Sequence, residues 1–230
     1  MDTRVITIVD GSADGASASS LVAQNIAAGL AYSGRKVLLA DATSGQASAD
    51  WARVRTQARI RPRIKAQAVR CDQLRDCLER ECERYDLVVI DAGGAGDRST
   101  LCALIAAQVA VILVETDFGA AVRVPPPAGL LYQARLFNPG LDIVRVALCP
   151  EADPDGAALQ KFGRDALRLG AARTTSTALH LATLRSGAQI AGHCLRDQQG
   201  SAGAAQIGDL LREICPTRDK RQFFNQKVYS

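Results

Sequence analysis

Aromatic residues make up only 4% of the 230 residues, with a single tryptophan, a single methionine and two histidines. His180 and His193 have no ligand-spaced partner, which argues against a histidine-based zinc enzyme. No apolar run approaches the ~18–20 residues of a membrane-spanning helix. The start, Met1-Asp2-Thr3-Arg4 running directly into Val5–Val9, has neither the charged nor the apolar region of a secretory signal, so the expectation is a cytoplasmic protein without a membrane span. Seven cysteines, at 71, 77, 82, 102, 149, 194 and 215, are an odd number in a long chain, and a disulfide framework is not expected. Cys71, Cys77 and Cys82 lack CxxC-type spacing, so they read as half-buried helix residues rather than zinc ligands.

What is present describes an ordinary globular chain. It is 47% hydrophobic and 23% charged, with a net charge of +4 that is too small to demand nucleic acid. The length supports one domain with a sizeable core, taken as residues 1–216, followed by a basic and aromatic tail at 217–230. Strand-like and helix-like segments alternate. Val5–Val9, Lys36–Ala40, Leu87–Ile90, Val109–Val114 and Ile143–Leu148 are short β-branched runs. Ser19–Ser33 has helical spacing and stops at Ser33-Gly34, and Leu74–Arg84 predicts a charged amphipathic helix. Continuous hydrophobicity in Leu87–Ile90 and Val109–Val114 suits strands covered on both faces. The expected fold is a doubly wound α/β domain, a mostly parallel sheet with helices on both faces.

Ligands of such sheets bind at the carboxyl ends of the strands. Three strand ends carry polar groups: Asp10 to Ser20, Asp41 to Gln46, and Asp91 to Asp97. The first is a loop of small residues, Gly11 to Ser20, between a strand and a helix, where backbone amides can cradle phosphate. It contains no lysine, whereas a P-loop needs one for the β- and γ-phosphates.

The surrounding segments resemble the ParA/MinD family of deviant P-loop ATPases, which position plasmids, chromosomes, division sites and other cargo. Asn25 to Ala31 is similar to the family's helix after the P-loop, and Gly34 to Asp41 to its second strand. Gln46 to Trp51 resembles the following "PQGSALDW" stretch, and Tyr85 to Asp91 the Walker B "YDxVIID". Gln108 to Val114 looks like the "ADLVLIPV" strand, and Phe137-Asn138-Pro139 like a turn of the small ParA proteins. The resemblance implies a P-loop NTPase-like fold and a sandwich homodimer. It places ATP or ADP, where nucleotide binds, at Gly15, Ala18, Ser19, Ser20, Asp41 and Asp91, with magnesium on Ser20, Asp41 and Asp91.

The departures fall where the chemistry belongs. Counting back from Asn25, Asp14 replaces the family's signature lysine and Ser19 its phosphate-binding lysine. Thr43 replaces the aspartate that orients the attacking water, and Cys149-Pro150-Glu151 stands where the family has the Asn-Arg that reads adenine. Phosphoryl transfer depends on positive charge offsetting the phosphates, and losing one such donor costs ~3–4 kcal/mol in the transition state. The expectation is a pseudo-ATPase that acts as a binding or regulatory module in DNA partition or in positioning a large bacterial assembly, with a protein of that system as partner. The alternatives are a slow ATPase switch borrowing a basic residue from outside the loop, and a nucleotide-independent scaffold in which Asp41 and Asp91 are only helix-capping or strand-end residues.

From Ala52 to Arg70 there are seven basic residues and no acidic one. Arg53, Arg55, Arg59, Arg61, Arg63 and Lys65 read as a row for non-specific DNA or an acidic partner. Ile60-Arg61-Pro62-Arg63-Ile64 suggests an edge strand or loop, where such charges can equally serve only to block aggregation. The tail, with Phe223, Phe224 and Tyr229 among basic residues, has too few spaced apolar positions for a membrane-binding helix and reads as a docking peptide or a frayed end.

Overall fold

The computed structural model describes residues 4–11, 18–94, 98–116, 128–150, 172–187, 190–198 and 200–215. Asp14 and Gly15, Glu151, and the tail from 217 onward lie outside the described residues.

Seven strands form one sheet: β1 (Arg4–Asp10), β2 (Val37–Asp41), β3 (Lys65–Ala68), β4 (Leu87–Gly94), β5 (Val109–Glu115), β6 (Asp142–Cys149) and β7 (Arg173–His180). Their order is β3-β2-β4-β1-β5-β6-β7, and all six pairings are parallel. The described helices are α1 (Ala18–Tyr32), α2 (Ala47–Gln57), α3 (Cys71–Glu81), α4 (Arg98–Ala106), α5 (Ala128–Phe137), α6 (Leu181–Gly187) and α7 (Ala202–Ile214), with a 3-10 turn at Leu195–Asp197.

The runs of unbroken hydrophobicity have a direct cause. Successive side chains of a strand point to opposite faces, and here both faces are covered. Ile6, Ile8, Val89, Val111 and Leu113 join α1 and α7 in one core layer, while Val5, Val9, Val88, Ile90 and Ile112 join α3, α4 and α5 in the other. Helix α1 is buried almost all round because α7 crosses it at Gly29. A Cβ on Gly29 would lie 2.6 Å from Leu211 Cδ1, so a larger residue there would require the Leu211 side chain to shift.

The structure departs from the sequence reading at three places. Strands β3 and β7 sit at the two sheet edges with the polar sequences Lys-Ala-Gln-Ala and Arg-Thr-Thr-Ser-Thr-Ala-Leu-His, which carry no apolar run to announce them. Residues 60–64 form a loop, one of the two forms expected of them, and the edge strand begins at Lys65. Helix α3 starts at Cys71, three residues earlier than its apolar spacing suggests. Cys71 and Cys102 are bonded through their sulfurs, their Cα atoms 6.0 Å apart, because α3 and α4 are neighbours on one face.

Candidate functional site at the strand ends

Strands β1, β2 and β4 are adjacent and parallel, so their carboxyl ends share one edge. Asp41 and Asp91 are register partners there, and both are buried. The amide of Ala42 donates to the Asp91 carbonyl at 2.9 Å and that of Val69 to the Asp41 carbonyl at 2.8 Å, so the strand ends are pinned together.

Asp41 is occupied by the backbone that follows it. Its Oδ1 accepts from the Thr43 amide at 3.0 Å and from the Thr43 hydroxyl at 2.7 Å, while its Oδ2 accepts from the Ala49 amide at 2.9 Å. Ala49 is in the first turn of α2, where helical amides lack partners, so Asp41 satisfies one of them from outside the helix. Thr43 Oγ1 in turn accepts from the Gln46 amide at 3.1 Å. Thr43 therefore holds the turn into α2. Gln46 adopts the left-handed conformation, with φ of 53°, immediately before that helix.

Asp91 is surrounded by hydroxyls. Ser48 Oγ donates to Asp91 Oδ2 at 2.7 Å, and the Gly93 amide approaches Oδ1 at 3.3 Å. Ser20 and Ser19, in the first turn of α1, also hydrogen-bond this carboxylate. Burial pushes the Asp91 carboxyl above its usual range; the hydroxyls of Ser20 and Ser48 oppose that shift, the nearby Asp41 carboxylate adds to it, and Ser19 opposes it further. Ser48 also accepts from Gln24 Nε2 at 3.4 Å, tying α1 to α2. Ala18, Ser19, Ser20 and Ser48 are all buried.

Ser48 escaped the sequence reading. It lies seven residues beyond Asp41 and one helical turn before Trp51 and Ala52, the inward positions of α2, and that spacing is the only signal that could have found it.

A cavity of about 730 Å³ opens beside these carboxylates, between β2, β3 and the starts of α3 and α4. Asp41, Thr43 and Gln46 form one wall, and Arg70, Arg98 and Ser99 another. It lies on the β3 side of the site, whereas the buried hydroxyls around Asp91 lie toward α1. The groups that would hold magnesium, Ser20, Asp41 and Asp91, are engaged with one another's elements and with the backbone, and Ser19 brings no charge for phosphate. Ser19, Ser20 and Ser48 offer Asp91 neutral hydroxyls, and residues 12–17 of the small-residue loop lie outside the described residues.

The basic stretch divides. Arg59, Arg61, Arg63 and Lys65 are exposed, and so is Arg53, which pairs with Asp50 at 3.0 Å. Arg55 does not belong to an exposed row; its side chain is 0% exposed. It follows Trp51 by four residues and so faces inward with it. Its Nη1 and Nη2 donate to Asp197 Oδ2 and Oδ1 at 2.6 and 3.0 Å. Further bonds from the same guanidinium reach the carbonyls of Pro62, Gly192 and Arg61, each at 3.0 Å. Tyr32 Oη adds a bond to Asp197 Oδ1 at 2.6 Å. Burial alone would raise the Asp197 carboxyl, but bonds from Arg55, Tyr32 and the Cys194 amide bring it down to about 2. Arg55 is thus the post on which the loop bearing Arg59, Arg61 and Arg63 is hung.

No protein-family model matches the sequence, and no curated protein matches it significantly. Solved structures do match in fold. A cobyrinic acid a,c-diamide synthase from Mycobacterium smegmatis, with bound ATP analogue and magnesium, superposes with a TM-score of 0.66 at 15% identity, over 92% of this chain and 95% of that one. The septum site-determining protein MinD from Pyrococcus horikoshii OT3, complexed with Mg-ADP, gives 0.62 at 16% identity over 93% and 96%. A ParA family ATPase from Chlorobium tepidum TLS gives 0.59 at 14% identity over 90% and 97%. At these identities the likeness is one of architecture, and the all-parallel seven-stranded sheet of this chain is the P-loop NTPase fold in the form shared by MinD and the ParA ATPases.

Proposed function

We propose that this chain is a ParA/MinD-like pseudo-ATPase, a binding or regulatory module in DNA partition or in the positioning of a large bacterial assembly. The observation that carries the reading is the closed hydrogen-bond set at the strand ends. Asp41 caps α2, Asp91 is ringed by Ser19, Ser20 and Ser48, and Gly11 to Ser20 contains no lysine. Both carboxylates thus find hydrogen-bond partners within the chain. Phosphoryl transfer, by contrast, requires positive charge placed against the phosphates. The exposed Arg59, Arg61, Arg63 and Lys65 are the contact surface of the reading, for DNA phosphates or for an acidic partner.

The test is calorimetric titration of Mg-ATP, and separately Mg-ADP, into the purified chain. No heat at millimolar ligand is expected. Micromolar binding would sink the reading and favour a slow ATPase switch. The feature that speaks for that second reading is the pair Arg70 and Arg98, which line the same cavity as Asp41 and Thr43 and could supply the missing cation. Loss of binding in Arg98→Ala would then identify the substitute.

A further inference from the structure

Two of the seven cysteines differ from the rest in where they sit. Cys77, Cys149, Cys194 and Cys215 are buried in the fold, and such thiols are inert. Cys82 is exposed at the far end of α3. Cys71 and Cys102 are half-buried, are bonded to each other, and both line the cavity of about 730 Å³ beside Asp41. Their Cα separation of 6.0 Å lies inside the roughly 4.4–6.8 Å that a disulfide spans.

The bond runs from the first residue of α3 to the middle of α4. Helix α3 is otherwise thinly seated. Of its eleven residues only Leu74 and Cys77 are buried, with Leu78 packed partly against the same core. Elements with so few buried apolar contacts are the first to open locally. Two residues before Cys71 the chain is anchored, because Val69 is buried and its amide donates to the Asp41 carbonyl at 2.8 Å. Without the bond, motion of α3 therefore begins at Arg70 and carries Cys71, Asp72 and Gln73, which are one wall of the cavity.

We infer that Cys71 and Cys102 are a reversible thiol–disulfide switch that sets how far α3 can move from the cavity beside Asp41. The oxidant is a low-molecular-weight disulfide. The Cys71 thiolate, its proton released to solvent, attacks one sulfur of that disulfide and expels a thiolate. The Cys102 thiolate then attacks the Cys71 sulfur and expels the second. The chain has lost two electrons and two protons, and the small disulfide has become two thiols. Cys71 is placed for the first step. It stands in the first turn of α3, where unpaired helical amides favour an anion, and Arg70 and Arg98 line the same cavity. The acids nearby are engaged: Asp72 pairs with Arg70 at 3.4 Å, and Asp41 accepts from the Thr43 and Ala49 amides. Cys71 Sγ lies 3.7 Å from the Arg98 carbonyl, so the start of α4 is within its reach. The inference rests on this pair and on the seating of α3, and it stands whether or not nucleotide binds.

The test equilibrates the full chain, without nucleotide, across ratios of reduced to oxidised glutathione, then quenches it in acid and maps the alkylated peptides by mass spectrometry. Cys71 and Cys102 should pass together from the dithiol to the disulfide within that range, while the four buried cysteines stay reduced. Hydrogen exchange over residues 70–74 should be at least about tenfold faster in the dithiol form. Cys71→Ser and Cys102→Ser should each exchange at the faster rate at every ratio, and Cys82→Ser should follow the parent. A bond that survives reduced glutathione alone is a fixed staple and overturns the switch. So does a pair that never closes or only takes up glutathione at each sulfur, and so does equal exchange over 70–74 in the two forms.

Discussion

Asp91 is the residue at which a retained carboxylate and a working one can be told apart. It is fully buried beside a second carboxylate, Asp41, and its bonds come from neutral hydroxyls and an amide. Burial raises its pKa, and the sign of the linkage follows. A carboxyl whose folded value is raised contributes its stabilisation below the unfolded value of about 4, and loses it as pH rises through the folded value. At neutral pH a carboxyl at position 91 is therefore a cost to stability that the serines only partly offset. Asp91→Asn should leave stability at pH 7 unchanged or raise it by up to about 2 kcal/mol, with the difference shrinking as pH falls toward 4. Calorimetric melting at the two pH values measures this directly. A sharp loss of stability at pH 7 would mean that the charge itself is needed, as a cation site would need it. Thr43 gives the same lesson without a titration. It stands where the resemblance expects an aspartate, and its hydroxyl closes the turn into α2 instead.

Among the elements, α2 shows most clearly what was legible in the sequence and what was not. The central strands could be read because burial on both faces demands apolar residues at every position, and Val109–Val114 meets that demand in six consecutive residues. The edge strands β3 and β7 could not, since their outward sides are free to be polar. The resemblance grouped Ser19 and Ser20 with Asp41 and Asp91, whereas Ser48 comes from a second helix whose place beside Asp91 only the fold supplies. Arg55 was misread because composition counts a charge without assigning it a face. Helical spacing puts Arg55 with Trp51, and the chain near residue 197 supplies its counter-ion from 142 residues away. Replacing Arg55 by Ala strands Asp197 and frees the carbonyls of Arg61, Pro62 and Gly192, and should cost about 3–5 kcal/mol. Lys should not restore it, because a single ammonium cannot span the two carboxylate oxygens and three carbonyls. Asp197, held at about 2 against an ordinary value of 3.8, contributes stability above the higher value that is lost as pH falls toward the lower one. The parent should therefore lose stability between about pH 4 and pH 2, and in Arg55→Ala that loss should shrink or vanish, because the Asp197 carboxyl is no longer held as far below its unfolded value. Urea unfolding followed by the fluorescence of Trp51, whose indole donates to the His193 carbonyl at 2.9 Å, reports on this junction specifically. An Arg55→Ala chain as stable as the parent would show that the junction is ornamental.

At the scale of the whole molecule the question is what a net charge of +4 does when it is unevenly placed. On α3 acidic and basic groups alternate and pair, as Arg75 does with Glu79 at 2.7 Å, and they produce little field. At the β3 edge Arg59, Arg61, Arg63 and Lys65 are exposed within seven residues, with no acidic residue between Ala52 and Arg70 to neutralise them. Arg55 holds the carbonyls of the same loop, so the cations are displayed on a fixed support rather than a loose one. A fixed row of cations binds a phosphate backbone by releasing counter-ions, and the number of contacts appears in the salt dependence. If all four reach phosphates, log K against log salt should fall with a slope of about −3.6 on duplex DNA of any sequence, measured by fluorescence anisotropy. Arg61→Glu/Arg63→Glu should make that slope shallower by about 2 and weaken binding equally for unrelated sequences. Binding that ignores salt, or that survives reversal of Arg61 and Arg63 unchanged, would remove DNA from the function of this edge and leave an acidic protein surface as its counterpart.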